Sequence, residues 1–443
     1  MAKTRLLGIS IWNFRAFEEL TLGRTFSGVK IPGDDDGGDD PVGLADPISN
    51  YLAVQGGINT GKSNLVAAFR LIAGIHTSLQ EPVELGPDAM LDKGKPMGFE
   101  VHYQVTETEF DVVADDVVEI VKPFTYRVVY SHDDLSRCLI KDYEALIAHR
   151  SGKVASGDDD VETVPVDVLI MLATPGRAFI LHELANAPII TNVRFDDFGN
   201  PLILMNKVNG ASALTVLNSI TGLAFTHNIC NVINRGAHID FQLLREFMAG
   251  IGFLTINTGQ VNQQIHQDRL HRHVNATATN LLPVILFLRR EHSALWLEVR
   301  TELQKEIPGF HDVGQRVIRF PSGFPTAMEM LLIERWPLLD EDGLVEGHRD
   351  FRTNRLSDGT ATRMAYKLIT KNPNPLRLWI VDIMEAGLSD AKEEVFQVID
   401  QVKAWVEEID GNVIATTNSA IIANAIGDNV TFVRTNGITE IEI

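Results

Sequence analysis

The sequence predicts an α/β fold: a mixed sheet with flanking helices, interrupted by a mostly helical insertion. Three observations lead there. The short apolar run Tyr51-Leu52-Ala53-Val54 passes through a glycine-containing segment into the helical spacing of Asn64 to Ile72. Two further apolar runs, Leu378 to Val381 and Asn412 to Ala415, end in polar groups and are separated by helical spacing from Ala391 to about Glu408. Runs of that length suit strands buried on both faces. Finally, Leu7, Ile9 and Ile11, then Phe99 to Val105, then Phe124 to Tyr130 alternate apolar with polar residues, the period of strands with one buried face.

Composition narrows the class. The chain has 443 residues, 45% hydrophobic and 22% charged, ordinary for a soluble globular protein. No stretch approaches the roughly 20 unbroken apolar residues of a membrane span, so no membrane partner is expected. Met1 to Arg5 lead into an alternating strand and not into a signal peptide. Cys138 and Cys230 are the two cysteines, which points to a reducing cytoplasm and no disulfide framework. The net charge of −20 excludes a surface that is basic throughout. It favours a basic protein partner over DNA while leaving room for a local basic groove.

Taken in order, Asn13 to Leu22 continues the first strand through a turn into a second. Gly33 to Asp40 and Gly157 to Asp160 are acidic, glycine-containing loops. Leu139 to Leu146 turns towards a helix. From about 165 to 290 alternation fades and helical spacing takes over, as in Ile239 to Met248 and Leu281 to Arg290. Sheet segments return at Arg316 to Phe320 and Met330 to Arg335.

The segment Gly56-Gly57-Ile58-Asn59-Thr60-Gly61-Lys62-Ser63 organises the rest. It fits the phosphate-binding loop pattern G-x-x-x-x-G-K-[ST]. Gly56 and Gly61 let the backbone turn so that successive N–H groups face phosphate oxygens. Lys62 brings a cation to the β and γ phosphates, and the Ser63 hydroxyl is a ligand for Mg²⁺. The preceding strand and following helix are the right context, because the helix N-terminus favours an anion.

Three more segments fit such a site. Leu356-Ser357-Asp358-Gly359-Thr360 opens a helical stretch, Ala361 to Thr370, with a hydroxyl and a helix dipole. Leu378 to Asp382 is an apolar strand ending in an acid, placed to deliver a carboxylate near Mg²⁺. Asn412 to Ser419 is another buried strand whose polar end would line the ligand crevice of an open sheet.

Together these segments resemble the ABC-type ATPases of the SMC/RecF branch, and among them the stand-alone ATPases grouped with the overcoming-lysogenization-defect (OLD) proteins. Asn13-Phe14-Arg15-Ala16-Phe17 is similar to the branch's N-terminal motif. Gly56 to Ser63 with Asn64-Leu65 resembles its Walker A, and Leu356 to Thr360 its signature. Asp382 falls on the Walker B aspartate, Glu385 to Leu388 on the segment after it, Ser389-Asp390 on the D-loop, and Thr416-Thr417-Asn418-Ser419 on the switch strand. The resemblance covers both ends of the chain, with no match from about 165 to 310. It implies an ATPase head built from residues 1–160 and 311–443, with 161–310 as a mostly helical insertion or lid.

The resemblance also implies ATP and Mg²⁺ as ligands. The phosphates would meet Gly56, Gly57, Asn59, Thr60, Gly61, Lys62, Ser63, Asn64 and Arg15. Ser63 and Asp382 would hold Mg²⁺. Ser357 and Gly359 would complete the ATP site of another subunit, so homo-oligomers form through ATP-sandwich dimers. The expected partner is an effector protein, a nuclease or toxin, in bacterial antiphage defence. A DNA-binding repair ATPase like RecF is the alternative, and DNA a second partner. The chain closes soon after the last family strand, leaving no room for a Toprim nuclease.

Two departures bear on catalysis. Ile383 stands where the family has the glutamate base, and Asn418 replaces the switch histidine. Isoleucine accepts no proton, so hydrolysis is expected to be slow or absent. Glu385 could substitute as base, but at three residues beyond Asp382 it is expected to point elsewhere. Two lesser candidates lie in the insertion: Gln260 as the glutamine that follows the strand near the site, and His266, His271 and His273, with Arg269 and Arg272, as a metal or nucleic-acid patch. A metal site needs convergent ligands, and neither cysteine is near.

Overall fold

The computed structural model describes residues 3–26, 46–77, 87–111, 116–133, 138–155, 161–174, 177–184, 187–195, 201–205, 239–256, 265–266, 270–318, 327–385 and 392–442. In chain order its strands are β1 (Lys3–Phe14), β2 (Phe17–Gly23), β3 (Tyr51–Gly56), β4 (Met97–Asp111), β5 (Asp116–Asp133), β6 (Cys138–Ala155), β7 (Val161–Thr174), β8 (Arg177–Leu184), β9 (Ala187–Phe195), β10 (Pro201–Met205), β11 (Ile251–Leu254), β12 (Ile265–His266), β13 (Phe310–Ile318), β14 (Ala327–Leu339), β15 (Val345–Thr353), β16 (Leu378–Val381), β17 (Asn412–Thr417), β18 (Asn429–Thr435) and β19 (Ile438–Glu442). The helices are α1 (Lys62–Thr77), α2 (Ile239–Ala249), α3 (Leu281–Glu291), α4 (Ser293–Glu306), α5 (Asp358–Thr370), α6 (Lys392–Ile409) and α7 (Ala420–Ile426).

One sheet gathers both ends of the chain in the order β11-β16-β17-β3-β18-β19. It is parallel except for β19, which returns antiparallel on β18. Its inner strands β3, β16 and β17 are almost wholly apolar because both faces are covered, while β18 and β19 at its edge are mixed. Leu52, Val54, Leu378, Ile380 and Ile414 face one core together with α1, and Tyr51, Ala53, Trp379, Val381, Val413 and Ala415 face a second core built from α3 to α7. Burying each large side chain contributes roughly 1.5–3 kcal/mol, so this sheet is a rigid base for whatever its strand ends carry.

A second sheet, antiparallel throughout, runs β10-β9-β8-β7-β6-β5-β4-β1-β2. Its apolar face packs on the other side of α1. Phe99, Val101, Tyr103 and Val105 alternate inward, and Tyr103 stacks on Phe247 of α2 at 4.6 Å between ring centroids. Being covered by sheets on both sides, α1 is apolar almost all round, with Leu65, Val66, Ala68, Phe69, Leu71 and Ile72 all buried. Asn412 ties the two sheets together: its Oδ1 accepts the backbone N–H of Leu6 at 2.9 Å. A third, smaller sheet holds β12, β14, β13 and β15.

The α/β fold with a mixed sheet and flanking helices is as the sequence predicts, and two segments differ in detail. Leu139 to Leu146 lies within a strand, β6, and not on the way into a helix. Its backbone pairs with β5 and β7, and buried Glu144 is satisfied by Lys141 and the Tyr126 hydroxyl, so sheet pairing overrides a helix-like composition. The helical part of the insertion also begins later than 161. Val161 to Met205 forms β7 to β10, which extend the antiparallel sheet, and helices follow at α2, α3 and α4. The backbones of β7, β8, β9 and β10 pair with one another and with β6, a pairing that local spacing does not announce. The two acidic stretches, 34–40 and 158–160, lie outside the described residues.

Candidate functional site

The phosphate loop runs from the end of β3 to the start of α1, and two of its glycines, Gly56 and Gly61, are required by space. A Cβ on Gly56 would stand 2.3 Å from Thr60 Oγ1 and 2.8 Å from the Phe432 carbonyl oxygen of β18. A Cβ on Gly61, whose φ is +98°, would stand 2.4 Å from Thr439 Oγ1 of β19. Asn59 has a φ of 65°, the left-handed region that asparagine tolerates better than most residues. Thr60 Oγ1 donates to the Gly57 carbonyl at 3.0 Å, and Ile58 stands exposed at the loop's apex. The first turn of α1 is closed by the Asn64 and Leu65 N–H groups on the Gly61 carbonyl, and Ser63 is exposed beside it.

Lys62 folds back into this loop. Its ammonium donates to the carbonyls of Gly56 (2.7 Å) and Gly57 (2.6 Å) and lies 3.4 Å from Thr60 Oγ1. Burial lowers its pKa from the ordinary value, while the carboxylates of Glu385 and then Asp382 act in the opposite direction. A cation held by loop carbonyls, beside two acids, can be drawn out to an anion lying against the loop N–H groups.

The two acids come from the turn after β16. The Asp382 N–H donates to the Leu254 carbonyl at 2.8 Å, which fixes the strand end. Thr416 Oγ1 of β17 donates to Asp382 Oδ1 at 3.0 Å and accepts the Ile383 N–H at 2.8 Å. The Met384 N–H donates to the Thr416 carbonyl, and Tyr51 Oη donates to Met384 Sδ from beneath. Ile383 itself has a φ of 54° and is 38% exposed. This reversal folds the chain over the end of β17. Glu385 therefore does not point away, as three extended residues would make it. Its Oε1 accepts the Asn418 N–H at 2.8 Å, and its Oε2 is buried with no hydrogen-bond partner among the described residues. Glu385 also acts with burial to raise the pKa of the buried Tyr366 hydroxyl on α5, burial being the larger cause.

The remaining candidates are placed as follows. Asn418 is exposed at the end of β17, and Ser419 caps α7 by accepting the Ile422 N–H. Arg15 sits in the β1–β2 turn with a φ of 53°, its guanidinium over the Phe14 ring at 5.2 Å. That turn is one strand from the phosphate loop, because the Ala16 carbonyl accepts the N–H of Thr439, which backs Gly61. Asn13 has a structural part: its side chain bonds the Asp92 N–H and the carbonyls of Asp92 and Lys95. Ser357 caps α5, accepting the Thr360 N–H, and Gly359 follows in the first turn. No hydrogen bond among the described residues joins Ser357 or Gly359 to the phosphate loop of the same chain. Gln260, Gly387, Leu388, Ser389 and Asp390 lie outside the described residues.

The histidine patch is part of a pinned loop. Asn280 Nδ2 bonds His271 Nδ1 at 3.2 Å and the His273 carbonyl at 2.8 Å, and Asn372 Nδ2 donates to the Arg272 carbonyl. Among the described residues no group of three or more His, Cys, Asp or Glu is arranged to hold a metal ion, and no helix is long and apolar enough to cross a membrane.

Reading by motif places Thr416 in the switch strand without its hold on the acidic turn, and misses two contributors, Thr439 and Arg434, which touch the phosphate loop from the last hairpin. The Asn436-Gly437 pair was the one available signal, since it marks a tight hairpin next to a core strand.

No protein-family model and no curated protein matches the chain. Among solved structures it is similar to an SMC head bound to the C-winged helix domain of ScpA, with 12% identity over 99% of this chain and 97% of that one and a TM-score of 0.41. It is also similar to the SMC head domain from Thermotoga maritima, at 11% identity, 99% and 98% coverage and a TM-score of 0.35. A third is an SMC head with an extended coiled coil bound to the C-terminal domain of ScpA derived from Pyrococcus furiosus, at 10% identity, 99% and 96% coverage and a TM-score of 0.39.

Proposed function

We propose that this chain is an ATP-binding subunit of the ABC type that works as a nucleotide-dependent sensor or scaffold for an effector protein, with weak or absent hydrolysis. The observation that carries the reading is the meeting, at the ends of β3, β16 and β17, of a phosphate loop with no room for a Cβ at Gly56 or Gly61, its buried lysine, and two carboxylates whose charge that lysine feels. The residues suit a magnesium nucleotide. The loop N–H groups of Gly57, Asn59, Thr60 and Gly61 suit an anion, while that of Asn64 is taken by the Gly61 carbonyl; the Ser63 hydroxyl and Asp382 carboxylate are hard oxygen donors of the kind Mg²⁺ takes. The ion, when bound, neutralises charge on the phosphates.

In this reading Lys62 leaves the Gly56 and Gly57 carbonyls for phosphate oxygens. Thr416 holds Asp382 in place. Glu385, with one oxygen on the Asn418 N–H and the other without a hydrogen-bond partner among the described residues, takes the proton of an attacking water in place of the side chain missing at Ile383. Asn418 supplies an amide where a charged imidazole would act, which keeps turnover low. Ser357 and Gly359, unattached to their own loop, serve the nucleotide of a second copy, and Arg15 faces the same site from the first hairpin. A role in antiphage defence rests on the resemblance of the motifs.

The test is binding of a fluorescent ATP analogue and release of phosphate by the purified protein with Mg²⁺, beside its mass in solution with and without ATP. The reading expects binding, a mass that rises with ATP, and a loss of affinity of at least about a hundredfold, or 2.8 kcal/mol, in Lys62→Ala. Absence of binding in the unaltered protein overturns it.

A further inference from the structure

The C-terminal hairpin does more than complete the sheet. β18 runs parallel to β3 with Phe432 opposite Gly56, so the hairpin leaves the sheet directly beside the phosphate loop. Its turn, Asn436-Gly437, has φ values of 51° and 88°, the tight geometry these residues favour. Three of its residues reach the loop. The Phe432 carbonyl backs Gly56, and buried Thr439 backs Gly61. Arg434, exposed, donates from Nη1 to the Asn59 carbonyl at 3.2 Å, and from Nε to the Gly437 carbonyl of its own turn, also at 3.2 Å.

We infer that Arg434 is a positioning residue of the nucleotide site, which fixes the Asn59–Thr60 peptide of the phosphate loop. This rests on the proposed nucleotide reading and adds a residue to it. The argument is one of peptide geometry. In a trans peptide the carbonyl of one residue and the N–H of the next point in opposite directions. With the Asn59 carbonyl held by Arg434, the Thr60 N–H is aimed to the side of the loop away from the guanidinium. The preceding carbonyls of Gly56 and Gly57 are held by Lys62, which has to leave them to meet an anion. Arg434 has no such conflict, because its bond lies outside the turn. Asn59 is also the non-glycine loop residue with a left-handed φ, the peptide whose orientation most needs a second hold. The bond to Gly437 fixes the guanidinium from behind, so little side-chain freedom is lost when it grips the loop.

The test compares Arg434→Met, which keeps the apolar stem and removes every donor, with Arg434→Gln, whose amide ends where Nε stood and so can keep the bond to Gly437 while losing the one to Asn59. The probe is Mg-ATP, followed by fluorescence of a labelled analogue, with the melting midpoint of nucleotide-free protein measured alongside. Arg434→Met is expected to lose about fivefold in affinity, the worth of one partly exposed hydrogen bond. Arg434→Gln is expected to lose as much, with both midpoints unchanged. Equal affinity of Arg434→Met and the unaltered protein overturns the inference and leaves the nucleotide reading standing. Full affinity in Arg434→Gln overturns it too, since the bond to Asn59 would then be idle, and so does a loss that vanishes at high salt, since the guanidinium would then act through its charge. A fall in the nucleotide-free midpoint that matches the loss of affinity assigns Arg434 to the fold instead. No binding by the unaltered protein removes both readings together.

Discussion

The two turns that form the site solve one backbone problem in different ways. After β3 the chain enters the left-handed region at Asn59 and Gly61, residues that adopt it at little cost. After β16 it does so at Ile383, a β-branched residue for which that region costs on the order of 1–2 kcal/mol. The first turn is favoured by its own composition. The second is imposed from outside, by Thr416 and by the Met384 N–H on the β17 carbonyl. Strain that the surroundings over-determine tends to collect where a side chain must be aimed. Here the side chain aimed is Glu385.

The comparison can be broken first at the phosphate loop. Gly61→Ala forces a Cβ against Thr439 at a φ of +98°. It should cost about 2 kcal/mol of stability and at least about tenfold in ATP affinity, read by urea denaturation and by titration. A fall in stability alone would separate the loop's packing from its ligand. The second turn is broken at its support. Thr416→Val removes the acceptor of the Ile383 N–H and the donor to Asp382 inside a buried strand end. A loss of about 2 kcal/mol is expected, because a buried donor is left without a partner. An unchanged denaturation midpoint would show that the turn holds itself. The smallest effect sharpens the contrast. Ile383→Asn should raise stability by about 1 kcal/mol by easing the left-handed backbone, and a destabilised variant would mean that Ile383 is not strained.

The same contrast explains how much could be read in advance. The phosphate loop, the strand and helix beside it, and the apolar runs of β16 and β17 follow from local rules: glycines where φ is positive, and continuous apolar residues where both faces are covered. The acidic turn does not. Nothing in Asp382-Ile383-Met384-Glu385 signals a reversal, because the groups that cause it lie on β17, more than thirty residues further along. The expectation that Glu385 points elsewhere failed for that reason. Nor do β7 to β10 show in the local spacing, because what makes them strands is pairing with neighbouring strands. Arg434 escaped because its contact with Asn59 joins opposite ends of the chain.

The claim that Glu385 stands in for the base missing at Ile383 is tested most directly by Glu385→Gln. This change keeps the acceptor for the Asn418 N–H and removes the ability to take a proton. The measurement is single-turnover phosphate release from bound Mg-ATP, with affinity followed in the same samples. The account predicts unchanged affinity and a rate lower by about a hundredfold, the usual worth of a positioned base. Equal rates in the variant and the unaltered protein would contradict it.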